Sequence, residues 1–144
     1  MQVKDVLAHK SGAVATIEPG RSIADVVAAL AQYGVGALVV SGDGRTIEGI
    51  ISERDVVRAL NSLGPALLQT AVSEIMTVNV HTGVPTDEVA LLARTMTDKR
   101  FRHMPVTIDG GLCGIVSIGD LVKSRMDEME TEHDQLVDYI SSAR

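Results

Sequence analysis

Apolar and polar positions along the 144 residues switch period several times. Ile23, Val26, Val27 and Leu30 recur at helical spacing and predict a helix over about 22–33. Ser22 and Asp25 have the spacing of a capping box, and Gly34 supplies a terminator. A short extended piece over 14–17 precedes this helix, with a turn at Pro19-Gly20. The unbroken apolar run at 37–40 predicts a buried strand, Gly42-Asp43-Gly44 a hairpin turn, and 48–51 the returning strand. A second helix is expected from Ser52 to about Ser62, stopped by Gly64-Pro65. The same order then returns. A helix is expected over about 86–98 with Val89, Leu92, Ala93 and Met96 inward. Strands at 104–108 and 112–116 flank Asp109-Gly110-Gly111, and a last helix starts at Ser117.

The recurrence reaches single residues. Thr16 and Pro19 match Thr82 and Pro85 at a shift of 66; Gly49, Ser52 and Asp55 match Gly114, Ser117 and Asp120 at a shift of 65. The one-residue change falls in the turn between the strands, where indels are tolerated. Units that cannot bury their faces alone must stack, and their junction offers a place for a ligand. Alternating strand and helix periods place the chain in the α/β (α+β) class. The expected division is residues 1–70 for the first repeat with its connector, 71–125 for the second, and 126–144 for a helical extension, all in one module.

That extension carries Val122, Met126, Met129, His133, Leu136 and Ile140 at alternating spacings of 4 and 3, a heptad seam. The seam packs either on its own domain or across a dimer. The tail is acidic: Lys123, Arg125 and Arg144 stand against Asp127, Glu128, Glu130, Glu132, Asp134 and Asp138.

Composition narrows the chemistry. With three aromatic residues, Tyr33, Phe101 and Tyr139, the core is aliphatic and no stack of rings for single-stranded nucleic acid is available. A net charge of −6 opposes nucleic-acid and membrane-surface partners. Cys113 is alone, so neither a disulfide framework nor a zinc cluster is expected; its place in an apolar strand predicts an inert core thiol. His9, His81, His103 and His133 lack metal spacing, and no nucleophile has a base beside it. A non-catalytic, cytoplasmic protein without a membrane span is expected.

The remaining candidate chemistry lies at two helix starts. Gly49-Ile-Ile-Ser52-Glu-Arg-Asp55 and Gly114-Ile-Val-Ser117-Ile-Gly-Asp120 each run from a strand into a helix N-terminus, which presents free N–H groups to a phosphate. The serine can donate to phosphate and the aspartate can accept from ribose hydroxyls. Ser-x-x-Asp is also an ordinary capping box, as Ser22 and Asp25 illustrate; recurrence at equivalent places favours a ligand. Ahead of a strand of the second repeat, Lys99-Arg100-Phe101-Arg102-His103 adds positive charge that the first repeat lacks at 35–37. Phosphate is therefore expected at the second repeat, with Arg102, His103, Ser117 and Asp120 together.

Tandem units ending in Gly-hydrophobic-hydrophobic-Ser-x-x-Asp, with Phe101-Arg-His-Met-Pro-Val106 before the second, resemble a CBS domain pair, or Bateman module, of the small stand-alone bacterial type. The resemblance implies two β-α-β-β-α repeats about a pseudo-twofold axis, and clefts for adenosine-containing ligands: AMP, ADP or ATP, or NAD or S-adenosylmethionine. It implies ribose contacts at Asp55 and Asp120 and phosphate contacts at Ser52, Ser117, Arg102 and His103. The adenine edge would be read around His103, Met104 and Pro105, with Thr16 and Thr77 in the cleft walls. It also implies a homodimer and an energy-sensing, regulatory role exerted on a separate effector, with no cofactor required. The alternative is a ligand-free dimerisation or partner-interaction module with vestigial clefts.

Overall fold

The computed structural model describes residues 1–10 and 12–143; Arg144, the end of the expected extension, lies outside them. The elements in chain order are α1 (Val3–Ala8), β1 (Thr16–Ile17), α2 (Ile23–Tyr33), β2 (Ala37–Val40), β3 (Gly49–Ser52), α3 (Glu53–Leu63), a 3-10 turn (Gly64–Gln69), α4 (Val72–Ile75), α5 (Val89–Lys99), β4 (His103–Ile108), β5 (Gly111–Ser117) and α6 (Ile118–Ser142). The class is mixed α/β with two separate sheets and a long last helix, as the alternation of periods predicts.

Local signals set the helix ends. Ser22 caps α2, and Gly34 closes it in the left-handed conformation (φ 62°, ψ 37°), which glycine adopts without a Cβ penalty. The β2–β3 turn is tied by Asp43, whose carboxylate accepts from the Arg45 and Thr46 N–H groups at 2.8 and 2.6 Å. Those bonds hold the Asp43 carboxyl far below its ordinary value.

The first sheet runs β1-β2-β3, with β1 parallel to β2; the second holds β4 and β5 alone. One residue explains the difference. In the first repeat Val39 N–H donates to Ala15 and Ser41 N–H to Ile17. At a shift of 66 Val39 becomes Pro105, which has no N–H to donate. Thr107 N–H donates to Gly83 at 2.9 Å and Gly83 N–H to the Pro105 carbonyl at 3.0 Å, a single parallel bridge to which the second repeat's first strand shrinks. Two expected elements are shorter than predicted. The strand at 14–17 is regular only at Thr16–Ile17. Helix α5 begins at Val89, not near 86, because residues 85–87 form a turn and Glu88 bridges to Gln2 at the chain start: Val3 N–H donates to the Asp87 carbonyl, and Val89 N–H to that of Met1.

Each core borrows a segment from outside its repeat. Val3 and Val6 of α1 pack with Val89, Leu92, Met96, Met104, Val106, Val116 and Leu121 of the second repeat. Leu67 and Val72 pack with Ile23, Val26, Leu38, Val40 and Ile51 of the first. Burying each such side chain contributes about 1.5–3 kcal/mol. Cys113 departs from expectation: although on β5, its thiol is exposed, because that position faces the cavity beside the sheet and not the core.

Candidate functional site

Three serines open three helices in the same way. Asp55 N–H donates to Ser52 Oγ at 3.2 Å while Ser52 N–H donates to Asp55 Oδ2 at 2.9 Å. The Ser117–Asp120 box closes at 3.0 and 2.9 Å, and the Ser22–Asp25 box at 3.2 and 3.4 Å. Capping therefore accounts for the spacing by itself. Position separates the three: the Ser52 and Ser117 boxes open into two cavities between the repeats, and Ser22 lines neither.

The first cavity, about 500 Å³, has Ser52 and Asp55 at the start of α3 on one side. Thr77 also lines it, paired with Ile50 of β3, while Arg100 and Arg102 ahead of β4 and His103 at its start come from the other repeat. The second, about 840 Å³, has Ser117 and Asp120 at the start of α6 facing Thr16, Lys10 and the segment 33–37 ahead of β2. Each cavity thus joins a helix start of one repeat to a pre-strand segment of the other. The expected grouping of Arg102 with Ser117 and Asp120 is corrected accordingly: Arg102 lines the cavity of Ser52 and Asp55. Its backbone does adjoin Ser117, since Ile118 N–H donates to the Arg102 carbonyl at 2.8 Å. Neighbours along a sheet register are not neighbours across the junction of two sheets. Met104 and Pro105 are buried and line neither cavity.

His103 and Gly36 line both cavities and form the partition. A Cβ on Gly36 would stand 3.1 Å from His103 Cε1 and 3.2 Å from Glu53 Oε1, so glycine permits that close approach. Burial pushes the His103 imidazole below its ordinary value, against the opposing pull of Glu53.

Electrostatics divide the two. The first cavity is walled by Arg54, Arg58, Lys99, Arg100 and Arg102, against Glu53 and Asp55. His81 and Phe101 stack in its wall, with ring centroids 5.1 Å apart and planes 4° from parallel. In the second, Lys10 Nζ donates to Asp120 Oδ2 at 2.7 Å and to the Ile115 carbonyl at 2.9 Å. Burial raises the Asp120 carboxyl, but the Lys10 bond and the Ser117 N–H outweigh it and leave the group below its ordinary value. Lys10 is 110 residues from Asp120 in sequence, and no local pattern announces it. Arg100 had a signal: at a shift of 66 it replaces Gly34, and it keeps that glycine's left-handed backbone (φ 61°, ψ 42°).

The CBS domain family model matches residues 3–62 and 72–127. The chain belongs to the CBS domain family. It is 42% identical to the CBS-domain containing protein ATU1752 from Agrobacterium tumefaciens, with a TM-score of 0.83 over 87% of this chain and 99% of that one. It is 39% identical over 123 residues to the mitochondrial CBS domain-containing protein CBSX3 of Arabidopsis thaliana, covering 83% of this chain and spanning 60% of the length of that protein. Two more distant CBS structures carry ligands. The Pyrobaculum aerophilum protein PAE2072 (25% identity over 83% of this chain and 89% of that one, TM-score 0.74) is complexed with AMP. The CBS domain pair of MJ0100 (26% identity over 89% of this chain and 98% of that one, TM-score 0.77) is in complex with 5-methylthioadenosine and S-adenosyl-L-methionine. Among the described residues no helix is long and apolar enough to cross a membrane.

Proposed function

We propose that this CBS domain pair is a non-catalytic regulatory module that binds a phosphorylated adenosine ligand in the cavity of Ser52, Asp55, Thr77, Arg102 and His103. It acts in the cytoplasm on an effector in trans, through a conformational or dimer change. The observation that carries this is the meeting of a helix N-terminus and its Ser52–Asp55 box with five basic side chains around one cavity, Arg54 and Arg58 from α3 itself and Lys99, Arg100 and Arg102 from the other repeat. Helix N-termini and guanidinium groups both favour phosphate. Ligand-bound relatives support an adenosine compound. Charge ranks AMP, ADP, ATP and NAD above S-adenosylmethionine in this cavity, because the sulfonium would meet like charge.

The second cavity is the weaker phosphate site. Its one lysine is already committed to Asp120, and Ser117, Asp120 and Thr16 would there meet the ribose of a less charged ligand. Regulation requires that the ligand favour one conformation over another; equal affinity for both shifts nothing. Isothermal titration of ligand-free protein with AMP, ATP, NAD and S-adenosylmethionine tests the reading. Saturable binding of a phosphorylated ligand, weakened in Asp55→Asn, is expected. Absence of binding to all four leaves the ligand-free interaction module as the function.

A further inference from the structure

We infer that the first cavity takes the base of its ligand by the ring face, on His81 backed by Phe101, and that it accepts purine nucleotides of either base, guanine as well as adenine. This specificity rests on the proposed phosphate site in the same cavity.

The expected readers of the base are not in place. Met104 and Pro105 are buried and line neither cavity. Much of the backbone around the first cavity is also committed. The N–H groups of Ile50, Glu53, Thr77, Val80 and Phe101 all donate to backbone carbonyls, and that of Ser52 to Asp55. The ring nitrogens of adenine are acceptors and would need such donors to be read by their edge. The Asn79 side chain does line the cavity. Its amide presents a donor and an acceptor and can turn either one to the ligand, so it suits both purines.

What the cavity does offer is a flat surface. The His81 and Phe101 rings lie 5.1 Å apart, centroid to centroid, with planes 4° from parallel. Phe101 packs against the second core, which fixes its ring. His81 rests on it, is exposed and lines the cavity, so the imidazole face turned away from Phe101 is open to a third ring. Every base has a π-face, so stacking tolerates a change of base. Its dispersion gain grows with the area in contact, which favours a purine over a pyrimidine.

The platform belongs to one cavity. At a shift of 66 His81 and Phe101 become Ala15 and Val35, which line the second cavity and carry no ring. Tyr33 lines that cavity too, but among the described residues it stacks on no other ring. In the first cavity Phe101 stands between Arg100 and Arg102, so one segment carries both the backing ring and the groups that favour phosphate.

The test is calorimetric titration of the ligand-free chain with AMP, GMP, UMP and ribose 5-phosphate. AMP and GMP are expected to bind within about fivefold of each other, and both roughly 10-fold tighter than UMP. His81→Ala is expected to weaken AMP and GMP by roughly 5- to 100-fold, the scale of base–aromatic stacking, and to leave the weaker binding of ribose 5-phosphate unchanged. The purine preference over UMP should narrow in the same variant. His81→Phe keeps a ring without the imidazole nitrogens and is expected to restore both purines, which separates stacking from hydrogen bonding. His81 is exposed, and an unchanged melting temperature confirms that His81→Ala folds. AMP bound with GMP excluded, or AMP affinity untouched by His81→Ala, overturns the platform and leaves the phosphate site standing. Binding of no nucleotide at all overturns both.

Discussion

The two inter-repeat cavities are built to one plan and differ in charge. Each has a Ser-x-x-Asp box at a helix start and a threonine among its lining residues. Each faces a pre-strand segment that leaves its helix through a left-handed residue: Gly34 in one, Arg100 in the other, with backbone angles within 5° of each other. The duplicated backbone was kept while the side chains on it diverged. Gly34-Val35-Gly36 gives a neutral wall, and Arg100-Phe101-Arg102 gives a basic one. Holding an L-residue in the left-handed region costs roughly 1–2 kcal/mol, and such residues concentrate where a side chain is needed in place. Under the proposed function, ligand choice would be set by the pre-strand segments, not by the boxes that the two halves share.

The largest effects should separate the cavities outright. Arg102→Ala should weaken ATP binding by roughly 10- to 100-fold, the scale of about 1.5–3 kcal/mol for a hydrogen bond to a charged group. Adenosine binding should be unchanged. Asp55→Asn should weaken nucleotide and nucleoside alike, while Asp120→Asn changes ATP affinity by less than about threefold, a loss below 1 kcal/mol. Calorimetric titration reads all three, and loss of ATP binding in Asp120→Asn alone would reverse the assignment of the cavities. Next in size, Arg100→Gly should raise the melting temperature by roughly 3–5 °C, through about 1 kcal/mol of relieved backbone cost. The same variant should weaken ATP; a lower melting temperature would show that Arg100 is not strained.

Smaller effects come from titration. The His103 imidazole is held below its ordinary value of 6.5, so the unfolded chain binds more protons just below that pH. Stability from this group is full above about pH 6.5 and declines as pH falls toward the folded value. His103→Gln should flatten that part of a melting temperature against pH curve, and an unaltered slope would remove His103 as its source. The smallest change belongs to the second cavity. The Lys10–Asp120 pair is partly exposed, so Lys10→Ala should cost less than about 1 kcal/mol at neutral pH. The Asp120 contribution is present above its ordinary value of 3.8 and is lost as pH falls through the lower folded value. The difference between Lys10→Ala and the parent in urea midpoint should therefore shrink in strong acid.

Sequence alone carried the parts that depend on near neighbours. Ser22, Ser52 and Ser117 announced helix starts because a cap needs only a donor and an acceptor three residues apart. The repeat and the hairpin at Asp43 were legible for the same reason. What needed coordinates was contact between the halves. Arg102 was grouped with Asp120 because both lie in the second repeat, yet the packed sheets bring Arg102 to Asp55. Lys10 gave no local sign of its bond to Asp120. Cys113 looked like a core residue because its strand is apolar, although a cavity lies against its face. The shortened first strand of the second repeat was readable in principle, since Pro105 stands where Val39 donates a rung.

The most direct test of the central claim is a calorimetric ladder of adenosine, AMP and ATP on the ligand-free chain and on Arg102→Ala. If the cavity of Ser52 and Asp55 is a phosphate site, affinity should rise from adenosine to the phosphorylated ligands in the parent protein, and that rise should collapse in Arg102→Ala. Equal affinity for all three ligands in the parent, or a ladder untouched by Arg102→Ala, would contradict it.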